Sequence, residues 1–317
     1  MEIRKVALLG AGAIGGDMVW GMQNSLKDNL VIVAEGTRAE RLRKEGMKIN
    51  GEHYDLHVQS AAEASDADLL IVAVKYTGLK DAMADIVRIA GRNSGHTVSG
   101  NERTMVLSLL NGIDSEELIA EQIGWEPIVN AYMTIVSHRT GNEIEIYHPE
   151  GPDGLWYGDR NTPEKTEACE VLEQFFATTR LHTGFVPDIL KRQWTKFIRN
   201  IAYNLPQAVL GTGLGAYSDS EHALWYSMKL EEEGRKVAAA YGIEIGPLPR
   251  GSYRYTPATR YSTLQDLDAK RPTEIDMFCG VLMKKAAEKG IQVPAAECTY
   301  HIIKALEEKN EGRFDYE

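Results

Sequence analysis

Short apolar runs recur through the first third of the chain: Val6-Ala7-Leu8-Leu9, Leu30-Val31-Ile32-Val33-Ala34, Leu69-Leu70-Ile71-Val72-Ala73-Val74 and Met105-Val106-Leu107-Ser108-Leu109-Leu110. They do not alternate with polar residues, so each predicts a strand buried on both faces. Between them, Thr37 to Lys44 and Leu79 to Ala90 carry helical spacing, the first stopped by Gly46. Strands alternating with helices predict a parallel sheet covered by helices. A polar loop, Gly91 to Arg103, precedes the fourth strand, which ends at Asn111-Gly112. From Pro127 to Gly158 the pattern shifts to strand and turn, with Ile128-Val129, Ile144-Glu145-Ile146 and the turn Gly151-Pro152-Asp153-Gly154. This stretch predicts an antiparallel edge on the same sheet.

A helix is expected over about Pro163 to Thr178, and beyond Pro187 the strand signal disappears. Ile189 to Leu205, His222 to Tyr241, Glu274 to Lys289 and Ala295 to Lys309 all show helical spacing, punctuated by Pro206, Pro247, Pro257, Pro272 and Pro294. The expected division is residues 1–182, an α/β domain with a mostly parallel sheet, and residues 183–317, an all-α domain.

The first apolar run breaks into Gly10-Ala11-Gly12-Ala13-Ile14-Gly15 and then into a helix. A strand, G-x-G-x-x-G and a helix in that order hold a dinucleotide pyrophosphate. The glycines permit the tight turn, the close approach of backbone N–H groups and the packing of helix on strand. Gly10, Gly12, Ala13, Ile14 and Gly15 are the expected cradle. Glu35 ends the second run, about where a carboxylate meets the ribose hydroxyls of NAD. The α/β half is accordingly read as a Rossmann domain.

Composition narrows the partners. Among 317 residues, 35 Lys and Arg face 46 Asp and Glu, a net charge of −11 with the signs interspersed. That disfavours nucleic acid and anionic membrane as partners. Cys169, Cys279 and Cys298 are widely spaced without C-x-x-C and read as reduced thiols. Arg4 and Lys5 before an apolar stretch mimic a secretion signal, but the glycines and Asp17 break it, and no run is long enough to span a bilayer. A cytoplasmic protein acting on a small molecule is expected.

Strand-end residues of such a sheet face the ligand crevice, which a second domain usually closes. Lys75 and Asn111 stand at two of those ends, although a solvated lysine and a plain Asn-Gly turn fit the positions as well. In the helical half, Lys196, Asn200 and Asn204 recur every four residues and share one helix face. Asparagine competes with the helix for backbone hydrogen bonds, so two of them aligned with a lysine among Phe197, Ile198, Ile201 and Leu205 point to function. Thr273 reads as the cap of a helix whose first turn carries Glu274 and Asp276.

These motifs together resemble the ketopantoate reductase (2-dehydropantoate 2-reductase) family nearly end to end. The resemblance rests on Gly10-x-Gly12-x-x-Gly15, Val74-Lys75, Leu110-Asn111-Gly112 and Trp194-x-Lys196-x-x-x-Asn200-x-x-x-Asn204. It continues in Ser262-Thr263-Leu264-Gln265-Asp266 and Thr273-Glu274-Ile275-Asp276. It implies hydride transfer from a nicotinamide cofactor to the keto group of 2-dehydropantoate, giving pantoate for pantothenate and coenzyme A synthesis. It further implies that Lys196 is the general acid and that Glu274 binds a substrate hydroxyl and orients Lys196. Ser262 would hold the substrate carboxylate, Asn111, Asn200 and Asn204 the rest of the substrate, and Lys75 and Asn111 would neighbour the cofactor.

The chain departs from the family at informative places. Many members end the second strand with alanine-arginine-glycine, whose arginine grips the 2′-phosphate of NADPH; here Ala34-Glu35-Gly36 stands instead. NADH is therefore the expected donor, with NADP(H) as the alternative should Arg38 swing in. Tyr261-Ser262 replaces a serine pair, and the loop Gly91 to Arg103 is longer than usual, which opens the substrate to another branched 2-keto acid. A non-catalytic NAD-binding sensor is the reading from a different class.

Other signals are discounted. His53 and His57 lie on a strand-like segment without a third ligand, so no metal is expected, and His138 and His148 read as exposed polar residues. Glu231-Glu232-Glu233 reads as a solvated helix face. Trp225, Tyr226 and Met228 read as core or as a dimer contact, which leaves a homodimer open.

Overall fold

The apolar runs of the first half become adjacent strands of one sheet. The computed structural model describes residues 2–91, 104–141, 143–147, 153–249, 256–314 and 316, without the side chains of 138–140. His148, the His138 side chain and the loop after Gly91 lie outside the described residues. The chain divides into two compact units, Met1–Ile189 and Leu190–Glu317.

The first unit opens with β1 (Val6–Leu9), α1 (Ala13–Leu26), β2 (Leu30–Val33), α2 (Gly36–Glu45), β3 (Met47–Ile49), β4 (Glu52–Tyr54) and β5 (His57–Gln59). It continues with β6 (Leu69–Val72), α3 (Leu79–Ala90), β7 (Met105–Ser108), α4 (Ser115–Ile123) and β8 (Ile128–Thr134). β9 (Val136–Thr140), β10 (Glu143–Tyr147), β11 (Gly154–Gly158), α5 (Glu167–Phe176) and β12 (Thr183–Phe185) complete it. The main sheet runs β12-β11-β8-β7-β6-β1-β2-β5, and its segment from β5 to β8 is parallel throughout. Val6 and Leu8 face a core shared with α1, α2 and α5; Ala7 and Leu9 face one shared with α3 and α4. Both faces are covered, which is why these strands carry no polar alternation. Among the described residues, no helix is long and apolar enough to cross a membrane.

The expected antiparallel edge is only partly there. Ile128 and Val129 pair in parallel with β7, and the antiparallel edge is β11, paired against β8, with β12 beside it. Ile144-Glu145-Ile146 leaves the main sheet for a second one, ordered β4-β3-β10-β9. The reason is its one-sided burial: Ile144 and Ile146 are buried while Glu145 is exposed, so β10 needs an apolar partner on one face only. α1 supplies that partner, and Gly16 makes the room, since a Cβ there would lie 2.7 Å from Ile144 Cδ1. His53 and His57 fall on β4 and β5, in different sheets. The first unit ends after Ile189 rather than after residue 182, because Thr183–Phe185 pairs in parallel with β11.

The second unit is helical: α6 (Ile189–Leu210), whose first residue closes the first unit, α7 (Ala216–Asp219), α8 (Glu221–Ala240), α9 (Ser262–Asp268), α10 (Val281–Glu288) and α11 (Pro294–Asn310), with a π-helical turn Asp276–Gly280 before α10. α6 continues through Pro206, beyond the expected end at Leu205, giving up one ladder hydrogen bond. Packing sustains it: Phe197, Ile198, Ile201 and Leu205 are buried, and Phe197 stacks on Phe278 at 6.5 Å. On α8, a Cβ at Gly234 would lie 3.0 Å from Ile198 Cγ1, so the glycine sets the close approach of the two helices.

Two expectations for α8 are corrected. Glu231 is buried and accepts the Leu248 N–H at 2.9 Å. Glu233 accepts the Ala295 and Ala296 N–H groups at 2.8 and 2.9 Å, so it caps α11; only Glu232 is exposed. A helix start leaves orphan donors with a partial positive charge, and a neighbouring carboxylate satisfies both needs. Glu233→Ala is expected to lower stability by about 1–2 kcal/mol, seen as a lower melting temperature. Trp225 and Met228 are exposed rather than core, whereas Tyr226 turns inward and hydrogen-bonds Thr299.

Candidate active site

In the first unit the order β5-β2-β1-β6-β7-β8 reverses direction between β1 and β6, and a ligand crevice opens outside the strand ends at that point. Gly10 ends β1 with φ +120°, and a Cβ there would lie 2.5 Å from the Ala73 carbonyl. A Cβ at Gly15 would lie 2.0 Å from the Gly10 oxygen. Gly12 differs, because a Cβ there would meet no atom within 4 Å. α1 begins at Ala13 with no acidic residue in its first turn, and its first internal bond runs from Gly16 N–H to the Gly12 carbonyl. The donors of Ala13, Ile14 and Gly15 thus belong to the first turn, whose N–H groups lack intrahelical partners. Open space over a glycine at an uncharged helix start fits a dinucleotide pyrophosphate.

Glu35, Gly10, Lys75 and Asn111 follow the carboxyl ends of β2, β1, β6 and β7, four neighbouring strands. Glu35 is exposed, and together with burial its charge raises the Asp85 carboxyl. Arg38 and Arg41 line a cavity with Ala11, Leu42, Met47 and Ile144, beside the glycine turn. Lys75 is exposed on extended backbone, and Asn111 is half-buried before Gly112, whose φ is +103°. The Tyr76 hydroxyl donates to Asp114 at 2.7 Å, which ties the turn after Lys75 to the turn after Asn111.

In the second unit, α6 carries Lys196, Asn200 and Asn204 on one face, with Asn204 almost buried. Burial pulls the Lys196 ammonium down to about 8, against the Glu274 carboxylate, which pulls it up. Glu274 precedes the π-helical turn, where its carbonyl accepts Met277 and Phe278 N–H groups. Its neighbour Thr273 accepts the Ile275 N–H at 3.2 Å, the capping role expected of it. Thr273 is in turn held by Glu307 from α11, which accepts both its N–H and its hydroxyl at 2.7 Å and pairs with Lys304 at 2.9 Å. Ser262 is the exposed first residue of α9. The Tyr261 N–H before it donates to Gln207 Oε1 at 2.6 Å, so α6 also holds the start of α9.

The second unit therefore gathers Lys196 and Glu274 closely enough for their charges to couple, and joins the Ser262 segment to the same helix. Sequence reasoning missed Gln207, Glu307 and Asp114. Gln207 had a signal, since it extends the Lys196–Asn204 stripe by three residues; Glu307 lies too far along the chain for any local pattern to pair it with Thr273.

A glycine turn at the reversal point of a doubly wound sheet, followed by a helical unit with a depressed lysine, is the build of a nicotinamide-dependent oxidoreductase. The ketopantoate reductase PanE/ApbA family model matches residues 6–162, and the C-terminal model of the same family matches residues 188–307; the chain belongs to this family. The 2-dehydropantoate 2-reductase of Pyrococcus horikoshii is 28% identical over 321 residues, covering 97% of this chain and 99% of that protein. Among solved structures, D-mandelate dehydrogenase with NADH and anilino(oxo)acetate is similar at TM-score 0.79 and 21% identity, over 97% of this chain and 99% of that one. A dimeric ketopantoate reductase from Staphylococcus aureus is similar at TM-score 0.74 and 16% identity, over 96% of this chain and 99% of that one. These two likenesses bear on the fold.

Proposed function

We propose that the protein reduces the keto group of a branched 2-keto acid, 2-dehydropantoate foremost, to give pantoate, with NADH as the donor. Lys196 carries the reading. It is a lysine whose surroundings bring its pKa to about 8, coupled to a carboxylate and aligned with two amides on one helix face. The cofactor supplies the hydride. The Lys196 ammonium gives the ketone oxygen its proton from Nζ, and burial favours the neutral amine left behind. Glu274 accepts a substrate hydroxyl and steadies the ammonium. Asn200, Asn204 and Asn111 orient the substrate, and the Ser262 hydroxyl donates to its carboxylate. Lys75 sits beside the cofactor and the carboxylate.

NADH preference follows from Glu35, which accepts hydrogen bonds from a free 2′-hydroxyl and repels a phosphate. Glu35→Arg is expected to move the preference towards NADPH by at least about tenfold in kcat/KM; an unchanged ratio removes Glu35 from the ribose site. Arg38 and Arg41, lining a cavity beside Ala11, favour NADP(H) as the second reading.

The direct test is oxidation of NADH and of NADPH with 2-dehydropantoate and a panel of 2-keto acids. Turnover only of another keto acid keeps the chemistry and moves the substrate, a reading favoured by Tyr261 beside Ser262. Cofactor binding without turnover of any favours a sensor. The dimeric Staphylococcus aureus relative supports a homodimer, checked by light scattering. Soluble substrate and cofactor make the cytoplasm the expected compartment.

A further inference from the structure

We propose that Gln207 is a positioning residue that sets the carboxylate end of the substrate pocket. It does so by locking the start of α9, and with it Ser262, onto the helix that bears Lys196, Asn200 and Asn204. The inference rests on the role proposed above for Ser262.

The Gln207 side chain is fully buried, so it does not touch substrate. Both ends of its amide are engaged with one short stretch of chain. Nε2 donates to the Thr259 carbonyl at 2.9 Å, and Oε1 accepts the Tyr261 N–H at 2.6 Å. Neither end can let go without leaving a polar group poorly paired inside the protein. The same stretch is pressed onto the turn after α6. Thr259 also accepts the Leu214 N–H at 3.1 Å, and Pro257 accepts the Gly215 N–H at 2.9 Å. A Cβ at Gly213 would lie 2.3 Å from the Pro257 oxygen, so the two backbones touch where no side chain would fit. Ser262 follows Tyr261 directly, and any slip of the Tyr261 backbone displaces the Ser262 hydroxyl by a similar amount. Lys196 sits three helical turns earlier on α6, so the distance between proton donor and carboxylate anchor is set through Gln207.

Steady-state kinetics on Q207M, Q207E, S262A and the double variant Q207M/S262A, with NADH and 2-dehydropantoate, tests this. Methionine keeps the length of the side chain and removes both hydrogen bonds. Q207M is expected to raise KM for the keto acid about tenfold, with kcat changed by less than about threefold and KM for NADH unchanged. S262A raises the same KM, and the double variant is no worse than S262A, because Gln207 acts through Ser262. In Q207E the carboxyl accepts from Tyr261 at any pH but donates to Thr259 only when protonated. Its KM relative to wild type therefore approaches one in acid and climbs as the carboxyl ionises, a signature that loss of stability alone does not produce. Should Q207M fail to fold, the Q207E pH series carries the test. A wild-type KM in Q207M, a pH-independent ratio in Q207E, or full additivity with S262A overturns the role of Gln207 and leaves that of Ser262 standing. An unchanged KM in S262A overturns both.

Discussion

Replacing Lys196 by methionine is expected to lower kcat for keto-acid reduction by about 10²–10⁴-fold, the usual contribution of a positioned general acid, while NADH binding stays unchanged. The pH profile supplies the sharper test. With a pKa of about 8, the wild-type ammonium is about nine-tenths present at pH 7, so reduction changes little up to neutrality, halves by about pH 8 and falls towards tenfold per pH unit beyond it. The reverse oxidation needs the neutral amine and rises over the same range. Lys196→Met abolishes both limbs. Folding responds oppositely. The folded-state pKa lies below the unfolded one, so between about 8 and 10.5 the unfolded chain binds more protons and stability rises with pH. At pH 7 the lysine therefore opposes folding, and the methionine variant melts no lower than wild type. Retained activity, or loss accompanied by a lower melting temperature, refutes the assignment.

Gly12→Ala and Gly15→Ala are expected to fail in different ways, although both lie in one turn. At Gly12 a methyl meets no protein atom within 4 Å, so the variant folds with an unchanged melting temperature. That methyl occupies the space over the α1 start, and NADH affinity falls by about 10²-fold or more as the pyrophosphate is pushed from the N–H groups. At Gly15 a Cβ would lie 2.0 Å from the Gly10 oxygen, so α1 must move away from β1. Overpacking of this kind costs about 1–3 kcal/mol, and Gly15→Ala loses stability as well as affinity. Thermal melts with and without NADH separate the two: Gly12→Ala keeps its apo melting temperature and loses the NADH-induced rise, whereas Gly15→Ala loses both. Normal NADH affinity in Gly12→Ala would place the pyrophosphate elsewhere.

Much of this protein was legible in its chain because the relevant patterns are local. Unbroken apolar runs announced β1, β2, β6 and β7, since a strand covered on both faces has no polar side to show. The glycine turn announced itself by its place between strand and helix. The i, i+4 repeat of Lys196, Asn200 and Asn204 needed only helical periodicity.

What stayed hidden depends on partners distant in sequence. Ile144 and Ile146 looked like a strand of the main sheet, and only the room at Gly16 on α1 takes β10 into the second sheet. Glu231 and Glu233 looked solvated until the residues 243–249 and the start of α11 turned out to bring donors to them. Pro206 looked like a helix end, and buried packing along α6 overrode it. By itself, then, the chain determined its elements, its glycine turn and the alignment of its polar stripe, because each follows from the local pattern of one helix, strand or turn. Only the tertiary structure decided the depressed pKa of Lys196, the hold of Glu307 on Thr273 and the lock of Gln207 on Tyr261. Burial and hydrogen bonding between remote segments exist only once the chain has folded.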